Sequence, residues 1–201
     1  MASRCSRKLR KPVIRLAVES LSAEKPGLLT GYKHLLAAAN GNLVEAQNEL
    51  GLLYLSGKLA IADGAAGVAW LTRAAQGGYA QAQNNLATLF ERGAAGVTQS
   101  LENAGQLYSL AANQGHGPAT LALARLLNDG TGTKADPVKA WALASLAKER
   151  GEADASKLLD AIKLDDKQTA EAKKQLEEMK SGKVPEPKPA PAPVAAPKKA
   201  K

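Results

Sequence analysis

The sequence predicts an all-α fold, a right-handed α-solenoid of stacked antiparallel helix pairs, and three observations carry that prediction. A block of residues returns at a spacing of 36 to 37, as Ala38–Gly57 (AANGNLVEAQNELGLLYLSG), Ala74–Gly93 (AAQGGYAQAQNNLATLFERG) and Ala111–Gly130 (AANQGHGPATLALARLLNDG). Apolar residues within each copy recur at i, i+4, i+7 and i+8, which makes one stripe on a helix. Glycine then falls at the same place in every copy, at Gly57, Gly93 and Gly130. A repeat of this length is one helix pair, and such a pair buries its apolar face only against neighbours.

Taken in chain order, Leu28–Asn40 reads as the second helix of an otherwise missing unit. The first helix of the next unit carries Ala46, Leu50, Leu53 and Tyr54, which return as Ala82, Leu86, Leu89 and Phe90 and again as Ala119, Leu123, Leu126 and Leu127. Glycine-containing loops follow: SGKLAIADGAAG, RGAAGVTQS and DGTGTKAD. Second helices end in WLTRAAQGG, LYSLAANQG and the diverged WALASLAKERG. The small pairs Ala38-Ala39, Ala74-Ala75 and Ala111-Ala112 allow close helix approach, and Gly41, Gly78 and Gly115 are expected in the left-handed conformation that closes a helix. Asp136-Pro137 places a cap before proline at the first helical position. A weaker fourth copy begins at Leu146–Leu159. Asp165 with Gln168 has the capping-box spacing and opens a closing helix, Gln168–Lys180. The chain thus divides into a basic leader (1–26), a repeat domain (27–182) and a Pro/Ala/Lys-rich tail (183–201). Within the domain we expect a half unit at 27–41, units at about 42–78, 79–115 and 116–151, and closing helices over 152–181.

The segment EAQNELGLLYLSG (Glu45–Gly57) and the element Trp70-Leu-Thr-Arg-Ala-Ala75 resemble the Sel1-like repeat family, which is related to the tetratricopeptide repeats. The resemblance runs from about Gly27 to about Gly182. It implies a non-enzymatic scaffold that binds a peptide or protein in its concave groove. The third unit departs from the family pattern, with Thr120 in place of the usual Gln and Ala124 in place of the usual Gly.

Charge separates body from tails. The whole chain carries +8, but residues 1–26 hold +5 and residues 182–201 hold +4, which leaves the body at −1. A nucleic-acid-binding solenoid carries its positive charge on the folded surface, so no nucleic acid is expected for the body. The C-terminal VPEPKPAPAPVAAPKKAK has no apolar period and is expected to be a disordered spacer. The leader, MASRCSRKLRKPVIRLAVES, has no acidic residue before Glu19 and no apolar core of Sec type. Cytoplasm is therefore the default compartment. The composition also fits mitochondrial targeting, or an exported, periplasmic protein whose true start lies upstream. No run approaches a membrane span. Cys5 is the single cysteine, which excludes an intramolecular disulfide framework.

Candidate chemistry reduces to structure. His34 and His116 have no second His or Cys at metal-ligand spacing. Ser145-Leu-Ala-Lys148 matches S-x-x-K without its companion motifs, and Asp129-Gly-Thr-Gly-Thr-Lys134 lacks P-loop spacing because Ala135 follows the lysine. Asp165-Asp166 is accounted for by capping. Trp70, Trp141, Tyr54, Phe90 and Tyr108 fall at packing positions of the repeat. No enzyme, cofactor or metal is expected.

A partner surface is sought where the copies vary. In stacked helix pairs the first helix of each unit lines the concave side, and binding falls to positions not needed for packing. Those rows are Asn48, Asn84 and Leu121; Leu52, Thr88 and Arg125; and Glu49, Asn85 and Ala122. The four polar residues Asn48, Glu49, Asn84 and Asn85 suit an extended peptide backbone. The alternative reading is an envelope- or cell-wall-associated protein whose Pro/Ala/Lys tail acts as a spacer.

Overall fold

The computed structural model describes residues 28–57 and 63–182. The leader and the proline-rich tail, with the expectations attached to them, lie outside the described residues. Within the described residues are nine α-helices and no strand: α1 (Leu28–Asn40), α2 (Val44–Ser56), α3 (Gly64–Gln76), α4 (Ala80–Arg92), α5 (Leu101–Asn113), α6 (Gly117–Asp129), α7 (Pro137–Glu149), α8 (Ala155–Ala161) and α9 (Asp166–Lys180). They form two compact units divided between Ala82 and Gln83, inside α4.

In the first unit α1 packs on α2 and α2 on α3. Leu35, Ala39, Ala46 and Leu50 form its core, with Tyr32, Leu53, Tyr54 and Trp70 packed around them. The α2/α3 crossing is a backbone contact. A Cβ on Gly51 would stand 3.0 Å from the Gly67 carbonyl oxygen, and a Cβ on Gly67 would stand 2.9 Å from that of Gly51. The later copies place Ala87 and Ala104, then Ala124 and Ala140, at these two positions, and all four are fully buried. The replacement of glycine by Ala124 therefore keeps a small-residue crossing.

In the second unit α5 packs on α6, α6 on α7, and α7 on both α8 and α9. Ala124, Leu127, Ala140, Leu143, Ile162, Leu176 and Met179 gather into one cluster, so the closing helix contributes core rather than cover alone. The expected caps are present. Asp136 accepts from the Lys139 amide at 2.9 Å, and Asp165 and Gln168 form a reciprocal capping box.

Gly57, Gly93 and Gly130 all have φ near +65°, which ends each first helix in a left-handed residue. The same assignment is corrected at Gly41. There the left-handed residue is Asn42 (φ 59°), the counterpart of Gly78 and Gly115. Asparagine tolerates this region, so the turn keeps the repeat's register while the glycine sits one residue earlier. Ala95 (φ 58°) is the other non-glycine residue at positive φ among the described residues.

Candidate interaction surface

The residues predicted to form a surface fall into three groups by exposure. Leu52 and Arg125 are exposed, and Leu52 is the exposed large hydrophobic residue of the described chain. Glu49, Asn84, Asn85, Thr88 and Ala122 are half-buried. Asn48 and Leu121 are buried, at 1% and 6% exposure, and their placement on an open face is corrected. Asn48 Nδ2 donates to Glu49 Oε1 at 3.1 Å, and Leu121 packs against Ala147, Ala155 and Leu158. In the first and third copies this row is interior, so its variation does not mark a free position.

Thr88 is also drawn inward. Its hydroxyl donates to the Asn84 carbonyl at 3.0 Å and lies 3.1 Å from the Tyr108 hydroxyl. Tyr108 is buried and donates to Glu91 Oε2 at 2.6 Å. Burial, reinforced by the Glu91 bond, pushes its phenol well above the usual range. In the first unit Tyr32 and Tyr54 share a 2.7 Å hydroxyl contact with rings edge to face, and Tyr54 is pushed up to about 12, chiefly by that bond. These tyrosines are structural polar anchors between first and second helices, Tyr32 with Tyr54 and Tyr108 with Thr88 and Glu91. Trp70 is half-buried and carries the Arg73 guanidinium 4.7 Å above its ring.

A set of contacts that the sequence did not reveal ties each second helix back to a first helix. Gln47 Nε2 donates to the Ala39 carbonyl at 3.1 Å. Its counterpart in the third repeat is Thr120, too short for that reach, and Arg150 takes over. The Arg150 guanidinium donates to Thr120 Oγ1 at 2.6 Å and to the carbonyl of Ala112, the counterpart of Ala39, at 3.1 Å. Gln114, one repeat before Arg150, donates to Gln83 Oε1 at 2.8 Å. Three combinations, Gln47 with Gly77, Gln83 with Gln114 and Thr120 with Arg150, therefore occupy one structural position.

Among the described residues no three His, Cys, Asp or Glu side chains gather to hold a metal ion, and no helix is long and apolar enough to cross a membrane. His34 is exposed, and His116 caps α6 by accepting from the Ala119 amide at Nδ1, 3.2 Å away.

Helix pairs repeated in register, fastened by side chains at fixed repeat positions, define an α-helical repeat protein. The Sel1 repeat model matches residues 44–79, 80–116 and 117–152, and the chain belongs to that family. Sel1 repeats generally mediate protein interactions and typically build non-catalytic scaffolds. A Sel1 repeat protein from Oxalobacter formigenes is 32% identical, with a TM-score of 0.58 over 63% of this chain and 95% of that one. A protective antigen present in uropathogenic Escherichia coli strains, with an SLR fold, is 21% identical with a TM-score of 0.69. That match covers 86% of this chain and 39% of the antigen, and it shows the fold alone. No curated protein matches the sequence.

Proposed function

We propose that the repeat domain, residues 27–182, is a non-enzymatic adaptor that holds a peptide or protein partner against its first helices. The observation that supports this most directly is the exposure of Leu52 on α2 and Arg125 on α6 at a row where the three copies share no residue type. The row runs Leu, Thr, Arg, and its first and last residues are exposed while Thr88 is half-buried. Glu49 on α2 and Asn84 and Asn85 on α4 are half-buried polar groups suited to a peptide backbone. Asn48 and Leu121 hold the helices that present them.

The test is affinity purification from native lysate with Leu52→Asp and Arg125→Glu variants, each checked by circular dichroism. Arg125 is exposed and Leu52 is partly covered at 37% exposure, so the fold of each variant is checked before its recoveries are compared. Proteins captured by wild type and lost by a folded variant support the reading. Identical recoveries from all three proteins would move binding off this face.

A further inference from the structure

The first repeat builds one place differently from the other two: a Cβ on Gly77 would stand 2.5 Å from Val44 Cγ1, so valine occupies the space beside the glycine. Gly77 follows α3 where Gln114 follows α5 and Arg150 follows α7. Gln114 and Arg150 reach Gln83 and Thr120, whereas nothing extends from Gly77 toward Gln47. An open surface cleft of about 390 Å³ lies beside these residues, lined by Asn42, Val44, Gln47, Arg73, Gln76 and Gly77. It is at the small end for ligand pockets and suits a single side chain or the end of a peptide.

Two of the lining residues depart from the other copies. Arg73 stands where Leu110 and Leu146 stand, and Asn42 where the later copies have Gly78 and Gly115. Each change adds hydrogen-bond donors at a position the repeat frame leaves apolar or bare. Arg73 is exposed, its guanidinium rests on Trp70, and no ion pair engages it among the described residues. Asn42 and Gln76 are exposed carboxamides, and the amide of Gln47 is fixed by its bond to Ala39. The lining contains no carboxylate.

We propose that this cleft binds a peptide carboxylate, with Arg73 as its anchor and the Asn42 and Gln76 amides as additional donors. A guanidinium presents two parallel N–H groups to a planar carboxylate. A single cation with flanking amides matches one negative charge better than a phosphate's nearly two. The site shares no residue with the surface proposed above, so either can fail without the other.

The full chain, labelled with ¹⁵N, would be titrated with three probes: acetyl-Ala-Ala-Ala as the free acid, the same peptide amidated, and amidated acetyl-Ala-Glu-Ala. Saturable shifts of the Gly77 and Asn42 amides with a carboxylate-bearing probe, and none with amidated tri-alanine, are expected. The tighter of the two acids identifies the source as a chain terminus or an acidic side chain. Arg73→Gln is expected to weaken binding about tenfold or more. Arg73→Lys keeps the charge without the fork and should fall between. Asn42→Gly suits the positive φ, keeps the fold and should weaken binding severalfold. No shift with either acid, equal shifts with the amidated peptide, or wild-type affinity in all three variants would overturn the proposal.

Discussion

His116 closes the first turn of α6 with a ring nitrogen, and that choice links folding to pH. Only an unprotonated Nδ1 accepts the Ala119 amide. Burial holds the imidazole below its usual 6.5, and the nearby Glu152 carboxylate pulls the other way. Because the folded state binds the proton less readily than the unfolded chain, the stabilisation is present above about pH 6.5. It is lost as pH falls toward the depressed folded value. Chemical denaturation between about pH 7.5 and about pH 5 is expected to show wild type losing stability that His116→Asn retains, since asparagine caps without titrating. Parallel losses in the two proteins would remove His116 from the account. Ala95 marks a different local compromise, a left-handed residue with a Cβ, where glycine is the unstrained choice.

Between elements, hydrogen bonds from just past the second helix do what the family's glutamine does alone in the first repeat. Arg150→Ala leaves the Ala112 carbonyl and the Thr120 hydroxyl without their guanidinium donor. Urea denaturation should report a loss of about 1–3 kcal/mol. Adding Thr120→Gln to that variant should recover much of the loss, because Gln47 already makes the equivalent bond to Ala39. A double variant no more stable than Arg150→Ala would mean that the two solutions are not interchangeable. The crossing of α2 and α3 is similarly specific. Gly51 and Gly67 permit a backbone approach in which a Cβ on either would stand about 3 Å from the other's carbonyl oxygen, while the later copies bury alanine pairs at the same positions. The period shows that small residues belong at these positions, but it does not distinguish a close crossing from a slightly wider one.

At the scale of the molecule, the second unit depends on α9 for part of its core. Leu176 and Met179 are buried against the α7 cluster, while most of the remaining α9 surface is charged and exposed. Such an arrangement lets a terminal helix cover an open repeat face. Leu176→Ala should cost about 2 kcal/mol or more. A chain ending at Leu164 should melt earlier and self-associate in light scattering. An unchanged melting temperature and a monomeric truncated chain would show that α9 is dispensable. Helices, caps and small-residue crossings were legible in the sequence because they repeat, and three copies average out local accidents. The open face was harder to read. Asn48 and Leu121 vary like surface residues yet are buried, and variation alone does not distinguish a free position from an interior one that each copy fills differently. The Thr120–Arg150 link joins residues thirty positions apart, and the cleft at Gly77 is lined from both ends of one repeat, by Asn42, Val44 and Gln47 and by Arg73, Gln76 and Gly77. Neither leaves a local pattern.

The pairing of Thr120 with Arg150 also limits how this gene can recombine. Both residues lie within the span 117–152, so duplicating the third repeat as a whole carries the donor together with the gap it fills. A crossover in mid-repeat separates them. Joining α2 to α7 would bring Gln47 and a guanidinium to one carbonyl, whereas joining α6 to α3 would bring Thr120 and Gly77 and leave that carbonyl without a side-chain donor. Viable shuffles of these repeats should therefore have their breakpoints in the turns between repeats, not in the loops inside them.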